Sequence, residues 1–219
     1  MITVRRLGTT PYLQALERMR AHTRGRIANP VAGGDEVWLT EHPPVFTLGF
    51  ASRSEHLLRT GNIEVVQTER GGQVTYHGPG QIVAYLLLDL RRRKLGVREL
   101  VCRLETGVIE CLASYGVAAV RRVGAPGLYV LRRNDGDDPE VPKIAKIASI
   151  GLKVSRGFTW HGVALNGRMD LEPFSRIDPC GYRGLEMTDV AREANTNFPI
   201  ELDLLAERLA TGLVRAIEG

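Results

Sequence analysis

Between residues 70 and 81 the chain reads Arg70-Gly71-Gly72-Gln73-Val74-Thr75-Tyr76-His77-Gly78-Pro79-Gly80-Gln81, with four glycines and a proline in twelve residues. The apolar run Ile63 to Val66 precedes it, and Gln81 to Leu90, with the composition of a buried strand, follows it. Glycine carries no Cβ, so a main chain this permissive between two strands lets a ligand approach backbone N–H groups. The same cluster also fits a plain glycine-rich hairpin loop, because Gly and Pro most often mark turns.

At 219 residues, with no linker or low-complexity tract, the chain is expected to form one domain, residues 1–219. Its hydrophobic content of 43% suffices for a sizeable core. No apolar run reaches the ~18 residues of a membrane span, and the start Met1-Ile2-Thr3-Val4-Arg5-Arg6 lacks a signal-peptide core. A cytoplasmic protein that does not engage membranes is expected. Three cysteines, Cys102, Cys111 and Cys180, without a C-x-x-C pair argue against a disulfide framework and a thiolate zinc site, so no metal is expected. The net charge of +4 is locally concentrated at Arg91-Arg92-Arg93-Lys94, Arg121-Arg122 and Arg132-Arg133. Such clusters are either solvated surface or an attraction for an acidic partner. No nucleic-acid-binding motif accompanies them, so no nucleic-acid partner is expected.

The pattern predicts strands at Ile2 to Arg6, Glu36 to Thr40, Val45 to Leu48, Ile63 to Gln67, Gln81 to Leu90, Val117 to Arg122, Leu128 to Arg132, Ile147 to Val154 and Thr159 to Leu165. A helix is expected over Pro11 to Arg24, capped by Thr9 or Thr10. Val97, Leu100, Val101, Leu104, Val108, Ile109 and Leu112 recur at helical spacing up to Gly116, and a last helix spans Ile200 to Glu218. Asn134 to Pro139 reads as a polar loop. The elements follow no regular βαβ rhythm, so the fold class is α+β, with a mixed, mainly antiparallel sheet flanked by helices.

Cys102 and Cys111 fall inside the long helix and read as packed or half-buried residues. Cys180 lies between Pro179 and Gly181, in a tight loop able to present sulfur to a pocket. A free thiol ionises near pH 8.5, so a nucleophilic cysteine needs a neighbouring cation. His77 belongs to the glycine motif and His161 interrupts an apolar run, whereas His22, His42 and His56 lie in polar surroundings and read as surface. Lys146 opens an apolar segment, where a lysine usually snorkels from a strand end. No G-x-S-x-G, H-E-x-x-H, Walker or dinucleotide motif occurs, so no cofactor is demanded.

Arg70 to Gln81, Lys146 to Gly151, Trp160-His161-Gly162-Val163-Ala164-Leu165-Asn166 and Pro179-Cys180-Gly181-Tyr182 together resemble the signatures of lipoyl(octanoyl) transferases. Glu41 to Thr47 and Arg92 to Leu100 add support, and the resemblance runs to about Val190. It implies the architecture of biotin and lipoate protein ligases. It also implies transfer of an octanoyl group from octanoyl-acyl carrier protein to a lysine of lipoyl domains, in 2-oxo acid dehydrogenase subunits and the glycine cleavage H protein. By the same resemblance Cys180 is the nucleophile and Lys146 the lysine that favours its thiolate. The acyl-binding residues are Arg70, Gly71, Gly72, Gln73, Val74, Thr75, Tyr76 and His77, then Ser149, Ile150 and Gly151, then Gly162, Val163 and Ala164. Lys143 begins a second Lys-Ile-Ala, but only Lys146 is followed by Ser and Gly at the required third and fifth positions. Two departures stand out: an acidic insertion around Asp135 to Glu140, and Gly167 where the family usually has an apolar residue. The alternatives are an ATP-dependent lipoate or biotin ligase on the same fold and a non-catalytic acyl-carrier-binding module. Backbone N–H groups at Gly71-Gly72 or Ser149 to Gly151 are candidates for stabilising an oxyanion. His77 and His161 are each either substrate-orienting or structural.

Overall fold

The computed structural model describes residues 1–31, 33–132, 143–195 and 199–219. The acidic insertion and the polar loop expected at Asn134 to Pro139 fall outside the described residues, as does Arg133. In chain order the elements are β1 (Ile2–Thr9), α1 (Tyr12–Ala28), β2 (Asp35–Glu41), β3 (Val45–Leu48), β4 (Glu64–Gln67), β5 (Val74–His77), β6 (Gln81–Leu87), α2 (Leu90–Arg93), α3 (Val97–Ala113), β7 (Ala119–Arg121), β8 (Gly127–Arg132), β9 (Lys143–Ser155), β10 (Phe158–Asn166), β11 (Glu186–Met187), α4 (Val190–Glu193) and α5 (Leu202–Glu218). Short 3-10 turns occur at Ser54–His56, Glu172–Arg176 and Pro179–Gly181.

The large sheet runs β1-β2-β6-β10-β9-β8-β7, with β11 added beside β9. Its β1–β2 and β11–β9 pairs are parallel and its other pairs antiparallel. A small sheet, β4-β3-β5, carries the second half of the glycine motif on β5. Strand alternation sorts the apolar residues into two layers. Val37, Leu39, Ile82, Ala84, Leu86, Val163 and Leu165 face the pair α3 and α5. Trp38, Val83, Tyr85, Leu87, Trp160 and Ala164 face α1, where Tyr12, Ala15, Leu16 and Met19 cover them. Helices α3 and α5 meet at Gly107 and Gly212; a Cβ on Gly107 would lie 2.7 Å from the Gly212 carbonyl oxygen, so the close crossing requires glycine.

Several expectations change. Helix α1 starts after Pro11, which is its N-cap residue and contributes no side-chain bond. Thr10 is spent elsewhere, its hydroxyl donating to the Leu7 carbonyl at 3.2 Å. The predicted strand Gln81 to Leu90 stops at Leu87, because Asp89 caps α2 by accepting from the Arg91 and Arg92 amides. Strand β9 begins at Lys143 rather than Ile147, which puts Lys146 inside a strand and not at its end. Cys102 is exposed, whereas Cys111 is buried and desolvation pushes its thiol up to about 12. Gly167 has a packing reason: a Cβ there would lie 2.8 Å from the Gly80 carbonyl oxygen and 2.9 Å from both Leu202 and Leu205.

The basic run at Arg91 to Lys94 is only partly free surface. The buried Asp35 carboxylate accepts from Arg26 at 2.8 Å, Arg92 at 2.7 Å and Arg93 at 2.5 Å, and from the Asp89 amide at 2.9 Å. Burial pushes the Asp35 carboxyl up, but these donors prevail and hold it below the ordinary value. Arg92 and Arg93 thus fasten α2 to β2. Removing a buried partner from such a cluster costs about 3–5 kcal/mol.

Candidate active site

Cys180 stands on the 3-10 turn Pro179–Gly181 with φ 57° and ψ 18°, a left-handed conformation that is uncommon for a residue with a Cβ. The preceding backbone holds the turn in place. The Asp178 amide donates to the His56 carbonyl at 2.9 Å, and Leu58 and Arg59 both donate to the Arg176 carbonyl at 3.0 Å. Gln73 packs on Gly181 from the other side, so closely that a Cβ on Gly181 would fall 2.3 Å from its Nε2. The Gln73 Oε1 is buried without a hydrogen-bond partner, an acceptor beside the half-buried thiol.

Lys146 reaches Cys180 from β9. Its Nζ lies 3.2 Å from Cys180 Sγ, donates to the Pro126 carbonyl at 3.0 Å, and sits 5.1 Å from the centre of the Tyr129 ring. The residue is 2% exposed, so the expectation of a snorkelling strand-end lysine fails. A register shift explains the geometry. Leu128 pairs with Ala148 but Tyr129 pairs with Lys146, which leaves Ile147 as an extra residue on β9. Strict alternation would set Lys146 and Ser149, three apart, on opposite faces. The bulge brings both to the same side, while Ile147 and Ala148 both enter the core below. Gly127 makes room for the side chain: at φ 122° it has no Cβ, and one there would lie 2.8 Å from Lys146 Cε. Lys143, the alternative lysine, is exposed.

Burial pushes the Lys146 ammonium down, but the Cys180 sulfur and Tyr129 attract it more strongly, so it lies above the ordinary lysine value. Among the described residues no carboxylate forms an ion pair with it. The same holds for Arg70, which is 8% exposed and whose guanidinium is depressed by burial. Two buried cations without carboxylate partners leave the site suited to an anion that arises there.

A cavity opens beside Cys180. It is lined by Arg70, Gly72, Gln73, Thr75 and His77 of the glycine motif, by Ser149, Ile150 and Gly151 of β9, and by Gly162, Val163 and Ala164 of β10. Val83, Tyr85, Tyr12 and His161 complete the wall. Gly71, Val74 and Tyr76 do not line it. The Gly71 amide donates to the Leu152 carbonyl at 2.8 Å, which removes it as an oxyanion donor. Val74 and Tyr76 alternate to the opposite side of β5 and pack with Phe46, Met169 and Phe174.

A directional chain of hydrogen bonds fixes one wall. Arg70 donates to the Thr47 hydroxyl at 2.9 Å and the Thr47 carbonyl at 2.7 Å. Thr47 donates to His77 Nε2 at 3.3 Å, and His77 Nδ1 donates to Gln81 Oε1 at 2.6 Å. Gln81 Nε2 then donates to Asn166 Oδ1 at 2.9 Å, and Asn166 Nδ2 to the Thr188 carbonyl at 2.8 Å. Each orientation follows from the last, because a carbonyl can only accept. Both His77 nitrogens are bonded within the protein. Desolvation keeps it neutral, well below the ordinary histidine value.

His161 differs. Its φ of 60° inside β10 breaks the alternation, so Trp160 and His161 stack on one side with centroids 6.4 Å apart. Nε2 lies 3.3 Å from the Thr68 hydroxyl, and burial lowers the ring to about 3. His42 was read as surface from its polar neighbours in sequence. It is 0% exposed and lies beneath the cavity, its Nε2 2.6 Å from the Tyr85 hydroxyl. The chain pattern does not mark Tyr12, His42 or Gly127 as part of the site. The pattern Ala125-Pro126-Gly127 was a turn signal for the last, but nothing in the chain tied it to Lys146.

A thiol 3.2 Å from a buried ammonium, beside a cavity, has the means to form a covalent acyl intermediate. The fold matches a bipartite lipoate protein ligase from Thermoplasma acidophilum with a TM-score of 0.70 at 15% identity, covering 100% of this chain and 84% of that one. It also matches lipoate-protein ligase A bound with ATP, with a TM-score of 0.66 at 16% identity, covering 100% and 86%. At such identity the likeness shows the fold alone, the architecture of lipoate and biotin protein ligases. The lipoyl protein ligase A/B catalytic domain matches residues 11–213. An octanoyltransferase of Pseudomonas entomophila (strain L48) is 55% identical over 218 residues, 100% of this chain and 93% of the relative. The chain belongs to the lipoyl protein ligase A/B catalytic-domain family, among its octanoyltransferases, and is an acyltransferase.

Proposed function

We propose that the chain, acting as a single catalytic domain, transfers an octanoyl group from octanoyl-acyl carrier protein to a lipoyl-domain lysine through a thioester on Cys180. The observation that carries this reading is the 3.2 Å contact of Lys146 Nζ with Cys180 Sγ, made by a buried ammonium at the mouth of the cavity. In the first step the Cys180 thiolate attacks the donor thioester carbonyl. The new Sγ–C bond forms, the donor C–S bond breaks, and the pantetheine thiol leaves with a proton relayed by Lys146. In the second step the amine of the acceptor lysine attacks. The amide C–N bond forms, the Sγ–C bond breaks, and the amine proton returns through Lys146. Lys146 and Arg70 supply a positive field where each oxyanion develops. Burial of the chain contributes about 5 kcal/mol, at ~0.8 kcal/mol per methylene.

A thioester becomes an amide, which is downhill, so no nucleotide is required. The acceptors are lipoyl domains of 2-oxo acid dehydrogenase subunits and the glycine cleavage H protein. A nucleophilic thiol without disulfides suits a reducing compartment, the cytoplasm. Among the described residues no helix is long and apolar enough to cross a membrane. Attraction of an acidic carrier falls less to Arg92 and Arg93, which hold Asp35, than to Arg122. Its guanidinium lies 5.4 Å over the Tyr182 ring, two residues from the nucleophile.

Intact-protein mass spectrometry tests the reading. Incubation with octanoyl-acyl carrier protein, without ATP, is expected to add one octanoyl group to the protein and nothing to Cys180→Ala. Normal octanoylation of a lipoyl domain by Cys180→Ala would refute the thioester, and a strict ATP requirement would favour the ligase alternative.

A further inference from the structure

The cavity is lined by three adjacent strands of the large sheet: Ser149 to Gly151 on β9, Gly162 to Ala164 on β10, and Val83 and Tyr85 on β6, with Cys180 also in its lining. Gly151, Gly162 and Tyr85 are cross-strand partners in one row. Neighbouring strands lie ~4.8 Å apart, so the path from β9 to β6 is about 10 Å. An extended eight-carbon acyl group covers much the same distance. Beyond Tyr85 the row continues to Trp38, which is buried under α1 and does not line the cavity.

Tyr85 is an unusual end for a hydrocarbon slot, because it carries a hydroxyl and is 2% exposed. Its hydroxyl is directed away from the slot. His42 Nδ1 lies 2.6 Å from the Thr10 carbonyl oxygen, which can only accept, so Nδ1 carries the proton. Desolvation lowers His42 to about 4, so the ring is neutral and Nε2 is an acceptor. The Tyr85 hydroxyl therefore donates to Nε2 at 2.6 Å, and its ring is pinned edgewise to β2 and α1 through His42. An aliphatic side chain could swing aside for a longer acyl chain. Displacing Tyr85 would strand two buried polar atoms.

We propose that Tyr85, held by the buried His42, is the end wall that sets the acyl chain length this enzyme accepts. The inference rests on the cavity being the acyl slot. Shorter chains leave it partly empty and longer ones must break the Tyr85–His42 bond.

The test is the rate of Cys180 acylation, followed by intact mass, with hexanoyl-, octanoyl-, decanoyl- and dodecanoyl-acyl carrier protein. The native protein is expected to peak at octanoyl. Tyr85→Ala is expected to move the peak to decanoyl or beyond. Each added methylene is worth about fourfold, so the decanoyl-to-octanoyl ratio should rise roughly tenfold or more. Tyr85→Leu repeats the test if the alanine variant does not fold. Tyr85→Phe keeps the wall but loses its anchor, and is expected to keep the octanoyl peak with discrimination against decanoyl weakened a fewfold. The same length profile in every folded variant would overturn the proposal while leaving the Cys180 chemistry intact. Failure of the native protein to acquire any acyl group would instead overturn the reading of the slot.

Discussion

At one end of the cavity Cys180 rides on a short turn, half-buried, with left-handed backbone and a single lysine for company. At the other, His42, His77 and Tyr85 are buried in regular strands or directly beside them, with their ring nitrogens and hydroxyl committed. The thiol end is built around charge that must appear and vanish during turnover, so its cations lack carboxylate partners. The histidine end is built around neutral groups whose protons have fixed addresses. On the proposed reading a rigid sheet carries the ruler and a loop carries the chemistry, as expected where a substrate must enter and leave.

The contrast can be broken most strongly at Lys146. Lys146→Met should slow Cys180 acylation by about 10²–10⁴-fold. Stability should hold or rise, because an apolar chain of similar length replaces a buried charge. Single-turnover acylation and urea unfolding measure the two, and native acylation by the methionine variant would remove lysine from the chemistry.

Acid probes the opposite end. His42 lies at about 4 and His161 at about 3 in the folded chain, and His77 well below its ordinary value. Unfolded histidine titrates near 6.5, so below that pH the unfolded state binds more protons. Stability is therefore complete above about pH 6.5 and falls as pH drops toward 4 and then 3, by several kcal/mol in total. A urea midpoint that stays level from pH 7.5 to 4.5 would contradict neutral, buried histidines.

A milder change sharpens the comparison by moving one group without removing it. In Gly127→Ala the new Cβ would lie 2.8 Å from Lys146 Cε and 2.4 Å from the Ala148 carbonyl oxygen, at an unfavourable φ of 122°. We expect acylation about tenfold slower from a displaced ammonium, and a stability loss of about 1–3 kcal/mol from the strained backbone. The chain-length profile should not change, since the wall at Tyr85 is untouched. A shifted profile would show that the two ends are coupled.

Much of this was legible in the chain. The continuous apolar run in Gln81 to Leu87, buried on both faces, and the helical spacing from Val97 to Leu112, which buries one face, declared their elements. The segments around Arg70, Lys146, Gly162 and Cys180, singled out in the sequence, lie together at one cavity. Others misled for identifiable reasons. His42 has polar neighbours in sequence but is covered by Tyr12 and Tyr85, residues far along the chain. Arg92 and Arg93 read as solvated surface or a lure for an acidic partner, but Asp35, remote in sequence on β2, claims both.

What the sequence determined by itself was the material: which residue types could ionise, bend or pack, and that a thiol in Pro179-Cys180-Gly181 had a tight turn to stand on. Only the tertiary structure decided who meets whom. One extra residue at Ile147 turns Lys146 toward Cys180, and three adjacent strands bring Gly151, Gly162 and Tyr85 together in the wall of one cavity. Distances of that kind depend on strand register and on contacts between remote segments, which local residue preferences do not encode.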